Sequence, residues 1–378
     1  MAESLTRRSL ARLLGAAAGA SLLEAPRMAA LGAPAKANAP SSGPIRLSAN
    51  ENPYGPCAPA LDALAHSGNA ASRYPGAVLS ETREAIARLH GVSPEQIVLG
   101  CGSSDVLRMA DAAFLAPGRQ LVAAEPTFEA VLGYAKVTRT EPVRVPLTAD
   151  FRHDLPAMAA ACNGSTGLVY VCNPNNPTGT IVSARELESF LGHVPTTSMV
   201  LVDEAYHHFV EDPSYRSVLD LAKGRDNVVV ARTFSKIYGM AGMRLGYGVG
   251  SPARIAEMER YASWDNANQA ALAMALASLA DASTVPEKRK LLNDTRRWLC
   301  AELDRDRRRY IPSHANFVMI DVGGEVGPVG EAFRKRDIQV GRKFASMPNW
   351  LRVSIGTHEQ MVVFLAALRE IAPARAAA

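Results

Sequence analysis

Two charged residues follow apolar stretches that predict buried strands, Asp203 directly and Lys236 a few residues further on. Asp203 follows the run Val200–Val202, and open α/β sheets bind ligands at the carboxyl ends of parallel strands. Burial of this carboxylate favours a cationic partner, such as a protonated ring nitrogen. Lys236 follows Ser235, and the positive charge of Arg244 would lower the pKa of its amine and free it as a nucleophile. Taken alone, Asp203 could equally cap a turn, and Lys236 could be an exposed loop residue.

Two turns carry polar groups that could contact a ligand, and the first of them is suited to a phosphate. The first contains Gly100 and Gly102, after which Ser103 and Ser104 begin a predicted helix. The free N–H groups and the positive dipole end of a helix N-terminus bind phosphate. The second turn, NPNNPTGT, includes Asn176 and would expose side-chain amides at a sheet edge. Gly-rich and Asn-Pro turns also occur without such chemistry, so neither is decisive alone.

The elements that would position these residues alternate between strand and helix. Apolar runs predict buried strands at Ile97–Leu99, Leu121–Ala124, Leu168–Val171, Val200–Val202 and Val228–Ala231. Helical patterns lie between most of them, at Leu79–His90, Ser104–Leu115 and Ala184–Leu191. The alternation predicts an α/β fold in which helices cover both faces of a mostly parallel central sheet.

After about Ser251 the pattern changes, and a second, smaller α+β unit is predicted. Its elements are helices at Gln269–Ala280 and Glu287–Arg309 and strands at Phe317–Val322 and Leu351–Ile355. We therefore expect an N-terminal arm over residues 38–60, a large domain over 61–255 and a small domain over 256–378.

The first 37 residues resemble an export signal. Arg7 and Arg8 precede the short apolar stretch 13–23, and Ala35-Lys36-Ala37 fits a cleavage site that is defined by small residues. Paired arginines before a weakly apolar stretch are typical of a twin-arginine signal, and the stretch is too short to span a bilayer. This predicts a periplasmic or secreted bacterial protein. A disordered basic tail is the alternative, and it would leave the protein in the cytoplasm.

Charge and composition exclude several other classes. The chain is 48% hydrophobic and 21% charged, which is typical of a globular protein. The net charge of +4 falls to +1 without the first 37 residues, so nothing indicates a nucleic-acid partner or an anionic membrane surface. No metal site is predicted, because the cysteine spacing fits no zinc pattern and the adjacent His207 and His208 should face different directions. Trp264 and Trp350 could border a pocket or pack in a core.

Taken together, the motifs resemble the fold-type I pyridoxal-phosphate (PLP) aminotransferases, and among them the histidinol-phosphate aminotransferases. The strings that carry the resemblance span nearly the whole chain after residue 37: SANENPYGP, RYPG, GCGSSD, EPTFEA, NPNNPTGT, DEAYHHF, RTFSKIYGMAGMRLGY, HANFVM and LRVSIGTHEQ. The combination of DEAY with SKxxGxAGxRxGY is the most specific of these signals.

The resemblance implies a PLP site built from many segments. Lys236 looks like the Schiff-base lysine that also moves a proton, and Asp203 like the partner of the ring nitrogen. The remaining expected cofactor contacts are Tyr206 and Asn176 at the ring's phenolic oxygen, Phe128 on the ring face where many relatives have Tyr, and Ser103, Ser104, Ser235 and Arg244 at the phosphate. Tyr74 resembles a tyrosine that reaches a neighbouring subunit's phosphate, which implies a homodimer with shared sites.

The same resemblance implies a substrate side. Arg352 would grip the substrate carboxylate as a bidentate fork, and Tyr54 and Asn316 would line the pocket. Arg342 lies near a position where relatives contact substrate, although the segment between Arg342 and Arg352 is shorter here.

The implied reaction is transamination in two half-reactions. An amino acid or a histidinol-phosphate-like amine gives its amino group to PLP, and a 2-oxo acid then receives it. Because an export signal fits poorly with histidine biosynthesis, an exported oxidase or decarboxylase that tailors an amino acid or a derived natural product is the alternative. A PLP-binding module without turnover is disfavoured, because Lys236, Asp203 and Arg352 are all retained.

Overall fold

The computed structural model describes residues 43–373, so the predicted export signal lies outside the described residues. The strands are β1 Ile45–Leu47, β2 Ile97–Gly100, β3 Gln120–Glu125, β4 Pro142–Pro146, β5 Thr166–Cys172, β6 Met199–Asp203, β7 Val228–Thr233, β8 Gly246–Val249, β9 Tyr310–Ile311, β10 Phe317–Asp321, β11 Ile338–Val340 and β12 Trp350–Ser354. The helices are α1 Ala58–Ser67, α2 Gly76–His90, α3 Ser103–Phe114, α4 Ala130–Ala135, α5 Leu155–Ala161, α6 Ala184–His193, α7 Leu219–Gly224, α8 Pro252–Glu259, α9 Gln269–Ala280, α10 Thr284–Arg305, α11 Val326–Arg334 and α12 His358–Ile371.

A seven-stranded sheet in the order β2-β8-β7-β6-β5-β3-β4 forms the centre of the fold. Strands β7, β6, β5, β3 and β4 run parallel, and β8 pairs antiparallel with both β2 and β7. The predicted α/β class and mostly parallel sheet are confirmed. All five predicted buried strands belong to this sheet, whereas β4 and β8 were not predicted.

Both faces of this sheet are covered, and the side-chain alternation of β5 shows how. Leu168 and Tyr170 point into one core, which α3, α4 and α8 complete. Val169 and Val171 point into the opposite core, against α5, α6 and α7. Every residue of β5 is buried, as expected for a parallel strand between two helical layers.

The C-terminal part contains a separate antiparallel sheet, ordered β12-β10-β9. Strand β1 of the predicted arm pairs parallel with β11, so the arm is tied to this part of the chain. The arm is shorter than expected, because α1 already begins at Ala58. Helix α9 packs against α1 and α2, although the predicted division assigns these helices to different domains. The boundary between residues 255 and 256 stays a prediction.

Within residues 43–373, none of the helices has both the length and the apolar character needed to cross a membrane.

Candidate active site

A cavity of about 280 Å³ opens at the carboxyl ends of the central parallel strands. It collects side chains from seven segments, because Asp203 ends β6 while other lining residues follow β3, β5 and β7, begin α3, belong to β12 or come from the arm. The lining includes Ala49, Asn50, Glu51, Ser103, Ser104, Phe128, Cys172, Asn176, Asp203, Ala205, Tyr206, Thr233, Ser235, Lys236, Ala241, Arg244 and Arg352. Ten of the predicted site residues thus lie together.

Asp203 lies at the floor of the cavity and is 3% exposed. Its carboxylate accepts hydrogen bonds from the Tyr170 hydroxyl at 2.9 Å and from the Ala205 N–H at 3.0 Å. Burial raises the pKa of this carboxyl to about 6, and the two donors only partly offset that effect. Because a nearby cation would restore the ionised form, the site suits a ligand with a protonated nitrogen.

Lys236 faces Asp203 across the cavity. Its ammonium donates to the Asn50 carbonyl at 3.2 Å and lies 5.6 Å from the centre of the Tyr206 ring. Burial lowers the pKa of the Lys236 amine to about 8, and the positive charge of Arg352 contributes to the same effect. An amine with this pKa exchanges protons readily near neutral pH, as a nucleophile or general base requires.

A cradle suited to a phosphate lies at the N-terminus of α3 and consists of Ser103, Ser104, Ser235 and Arg244. Gly102 precedes the helix with φ +80° and caps it without a side chain, so the first N–H groups stay available beside Ser103 and Ser104. The Arg244 guanidinium passes so close to Gly102 that a Cβ there would collide with it. Arg244 also donates to the Ser235 hydroxyl at 3.4 Å. Dipole, hydroxyls and guanidinium together suit a dianion.

Arg352 lines the opposite side of the cavity and is already oriented. Its Nη1 donates to Asn176 Oδ1 at 2.7 Å, and its Nη2 donates to the Ser48 carbonyl at 2.7 Å. The Nε atom is buried and has no hydrogen-bond partner within residues 43–373. A guanidinium held this way offers a planar fork to an incoming anion.

Arg342 does not line the cavity, but it lies close to Arg352. It forms an ion pair with Glu129 at 2.5 Å, and its guanidinium lies 4.4 Å from the centre of the Phe344 ring. Arg352 lies 5.4 Å from the same ring. Two arginines thus flank the Phe344 ring. Because the Glu129–Arg342 pair is about half exposed, a competing anion can displace it at small cost.

Three other predicted site residues lie outside the cavity of their own chain. Asn316 is buried behind the arm, where its amide donates to the carbonyls of Asn50 and Glu51. Tyr54 packs against the main hydrophobic core, and burial raises the pKa of its hydroxyl. Tyr74 is 87% exposed. Their predicted roles remain predictions, and direct contact between Asn316 and substrate would require the arm to move.

Two residues that hold cavity side chains in place were not predicted individually. Asn50 is buried with φ +54° and contacts both Tyr206 and Lys236. Tyr170 supports Asp203 from inside the sheet. A usable signal existed for Asn50, because asparagine tolerates the left-handed conformation better than other residues with side chains. The partners of both residues are distant in sequence and could not be inferred from local pattern.

The expectation that the two adjacent histidines face different directions was wrong, whereas two alternatives had been left open for the tryptophans. His207 and His208 form a 3-10 turn with ring centres only 3.7 Å apart, rather than facing different directions. Neither ring lines the cavity, and the part of the chain that the structure describes holds no cluster of three or more potential metal ligands. Trp264 is 96% exposed, and Trp350 packs edge-to-face on Phe151, so neither borders the cavity.

The chain belongs to the class I and II aminotransferases, since the sequence model of the family "Aminotransferase class I and II" matches residues 42–368. It is similar to the histidinol-phosphate aminotransferase of Moorella thermoacetica, with 39% identity over 330 residues, 86% of this chain and 85% of the relative. The corresponding protein of Symbiobacterium thermophilum is 38% identical over 86% of this chain and 90% of its own.

Solved structures agree with this assignment. A putative histidinol-phosphate aminotransferase from Erwinia carotovora atroseptica has a TM-score of 0.84 at 34% identity, covering 86% of this chain and 95% of the other. The histidinol-phosphate aminotransferase of Sinorhizobium meliloti, solved with pyridoxal-5'-phosphate, has a TM-score of 0.81 at 26% identity and covers 86% and 90% of the two chains.

The cavity fits PLP, and the chain is a PLP-dependent aminotransferase. The fit rests on the buried Asp203 carboxyl, whose raised pKa suits a pyridinium partner, and on the cradle of Ser103, Ser104, Ser235 and Arg244 for the phosphate. Lys236 would hold the cofactor's aldehyde carbon. When bound, the cofactor withdraws electrons from the carbon that carries the substrate amine.

Proposed function

We propose that the chain transfers the amino group of histidinol phosphate, or of a closely related amine, to a 2-oxo acid. The observation that carries the proposal is the similarity to histidinol-phosphate aminotransferases, at 39% and 38% identity over 86% of this chain. The site is compatible with such a donor, because a guanidinium pair lies where a phosphate ester or a carboxylate would enter.

The two arginines would divide the work of anion binding. Arg352 is buried and held by Asn176 and Ser48, so we assign to it the binding of the anionic group next to the reacting carbon. In an amino acid or a 2-oxo acid this group is a carboxylate, and in histidinol phosphate a phosphate ester takes its place. Arg342 would leave Glu129 to complete the contact with a phosphate.

Lys236 would carry the proton. Its amine lines the cavity, where the substrate carbon that loses a proton would lie. With its pKa lowered to about 8, this amine would take the proton from the substrate carbon and hold it for return. Tyr206 and Asn176 would hold the phenolic oxygen of the ring, and Phe128 would stack on the ring face.

The active unit would be a homodimer in which Tyr74 completes the partner's phosphate site. Support comes from Tyr74 itself, since its side chain is 87% exposed although tyrosine has a large apolar body. Trp264, which is 96% exposed, would lie in the same interface. Sedimentation of the purified enzyme tests whether it is a dimer. Tyr74→Phe should weaken PLP binding without dissociating the dimer.

Export by the twin-arginine route is part of the proposal. It is supported by Arg7 and Arg8, the apolar stretch 13–23 and the cleavage pattern at residues 35–37. Fusion of residues 1–42 to a reporter should direct it to the periplasm, and changing both arginines to lysine should abolish export. Cytoplasmic retention of the unaltered fusion would contradict this part of the proposal.

Steady-state kinetics test the substrate assignment. With 2-oxoglutarate as acceptor, kcat/KM for histidinol phosphate should exceed that for histidine, phenylalanine and aspartate by at least about tenfold, because two arginines meet its phosphate. Preference for another amine would move the enzyme to a tailoring or catabolic role. Consumption of dioxygen or release of carbon dioxide would instead identify an oxidase or a decarboxylase.

A further inference from the structure

Asn50 is the most heavily bonded residue of the arm beside the cavity. It is 1% exposed and adopts φ +54°, a left-handed conformation that asparagine adopts more readily than most residues with side chains. Its N–H donates to Ser354 Oγ at 2.8 Å, and the Ser354 hydroxyl donates back to Asn50 Oδ1 at 3.2 Å. Its carbonyl accepts from Lys236 at 3.2 Å and from Asn316 at 3.1 Å. The residue is therefore fixed from several sides.

The remaining polar atom of Asn50 meets Tyr206. Nδ2 donates to the Tyr206 hydroxyl oxygen at 3.0 Å. A phenol whose oxygen already accepts a hydrogen bond still has its own proton to donate, and cooperativity makes it a better donor. Since Tyr206 lines the cavity, this proton is available to an acceptor bound there. The titratable groups that also influence Tyr206 are Arg352, Cys172 and Asp203, and the Lys236 ammonium lies 5.6 Å from the centre of its ring.

We propose that Asn50 is a positioning residue that fixes the direction of the Tyr206 hydrogen bond, and thereby sets the proton affinity of the bound cofactor. The inference rests on the proposed role of Tyr206 at the phenolic oxygen of the ring. Asn50 would act on the cofactor ring only through the tyrosine. The arm thus contributes chemistry to the site in addition to covering it.

The hydrogen-bond polarity makes the proposal testable. If Asn50 donates, the Tyr206 proton is free for the ring. If the amide were turned, Oδ1 would accept that proton and the tyrosine would not donate to the cofactor. Asn50→Asp places only hydrogen-bond acceptors opposite the Tyr206 hydroxyl. Asn50→Gly removes the side chain but keeps the left-handed backbone and the carbonyl contact with Lys236.

The experiment is a pH titration of the absorbance of the PLP-loaded enzyme, without substrate. Loss of the Tyr206 hydrogen bond should destabilise negative charge on the phenolic oxygen, so the pKa of the bound chromophore should rise. We expect an increase of about half to one unit for Asn50→Gly. Asn50→Asp should give a larger increase, because a carboxylate would capture the tyrosine proton and add negative charge.

A double-mutant cycle separates this role from a general structural one. In a Tyr206→Phe background, Asn50→Gly should leave the chromophore pKa unchanged, because the group through which Asn50 acts is gone. An equal shift in both backgrounds, or no shift in either Asn50 variant, would overturn the proposal. Because the titration needs no amine, its outcome is independent of whether histidinol phosphate is the substrate.

Discussion

Arg352 and Asn176 are joined by a buried hydrogen bond of 2.7 Å, although one lies in the small antiparallel sheet and the other in a turn that follows the central sheet. Arg352 belongs to β12, and Asn176 lies in the turn after β5. Because Asn176 Oδ1 is used by the guanidinium, its Nδ2 can serve the cofactor ring. One amide thus couples the predicted substrate clamp to the predicted cofactor site, and Arg352 is oriented before any anion arrives.

Arg352→Ala should impair the use of substrates that carry an anionic group next to the reacting carbon. We expect kcat/KM to fall about 100-fold for histidinol phosphate and amino acids, because a buried charge-assisted contact is lost. Simple amines that lack an anion should be spared. Arg342→Ala is the matched control, and its effect should be smaller because its ion pair is half exposed. Equal losses for all donors would show that Arg352 is not the clamp.

Lys236→Ala should abolish steady turnover while PLP remains bound noncovalently. The cofactor should stay bound because Asp203 and the phosphate cradle would hold it independently of the lysine. Absorbance and mass spectrometry after mild denaturation would show cofactor that is released rather than covalently attached. Lys223→Ala, which alters a surface lysine paired with Asp220, should keep full activity. Wild-type turnover by Lys236→Ala would refute the assignment.

Gly102→Ala should weaken PLP binding by at least about tenfold. A methyl group there would collide with the Arg244 guanidinium, and the backbone has φ +80°, so both the cradle and the turn would be disturbed. Titration of the cofactor-free protein with PLP measures the effect. Gly118→Ala is a matched control, because its φ is +87° but nothing lies within 4 Å of the added carbon. Equal weakening in both variants would assign the loss to backbone strain alone.

Acidification should destabilise the fold through His153. This residue is buried, and its Nε2 lies 3.0 Å from the Cys172 carbonyl. Burial lowers the pKa of the ring to about 4, whereas the unfolded chain protonates near the ordinary value of about 6.5. The unfolded state therefore binds more protons between these values, and stability is lost as the pH falls from about 6.5 to 4.

Urea unfolding at several pH values measures this contribution. The full His153 effect would be about 3 kcal/mol of unfolding free energy across that range. His153→Gln should have a flatter dependence on pH by that amount, whatever its stability at neutral pH. Parallel curves for the variant and the wild type would show that His153 does not titrate differently in the two states.

The sequence predicted the elements that repeat a local pattern. The buried strands are short apolar runs, and Asp203 and Lys236 follow two of them, so burial and site position could be inferred together. Strand β4 was not predicted because it is only partly buried and begins with a proline. Strand β8 was missed because its antiparallel place beside β2 depends on partners elsewhere in the chain.

The contacts that complete the site depend on tertiary packing. The partners of Asn50 lie 156 to 304 residues away, and no local periodicity encodes that they meet. The Glu129–Arg342 ion pair spans 213 residues and exists only because α4 begins opposite the segment after β11. The motif resemblance placed most groups in the cavity, but it did not indicate that Asn316 supports the arm from behind.

The most direct test of the account is a half-reaction followed by absorbance. The purified enzyme, loaded with PLP, is mixed anaerobically with histidinol phosphate, and 2-oxoglutarate is added afterwards. We predict that the amine converts the bound cofactor to its amine form and that the 2-oxo acid restores the original spectrum. No change with histidinol phosphate, or recovery only after air is admitted, would contradict the proposed transamination.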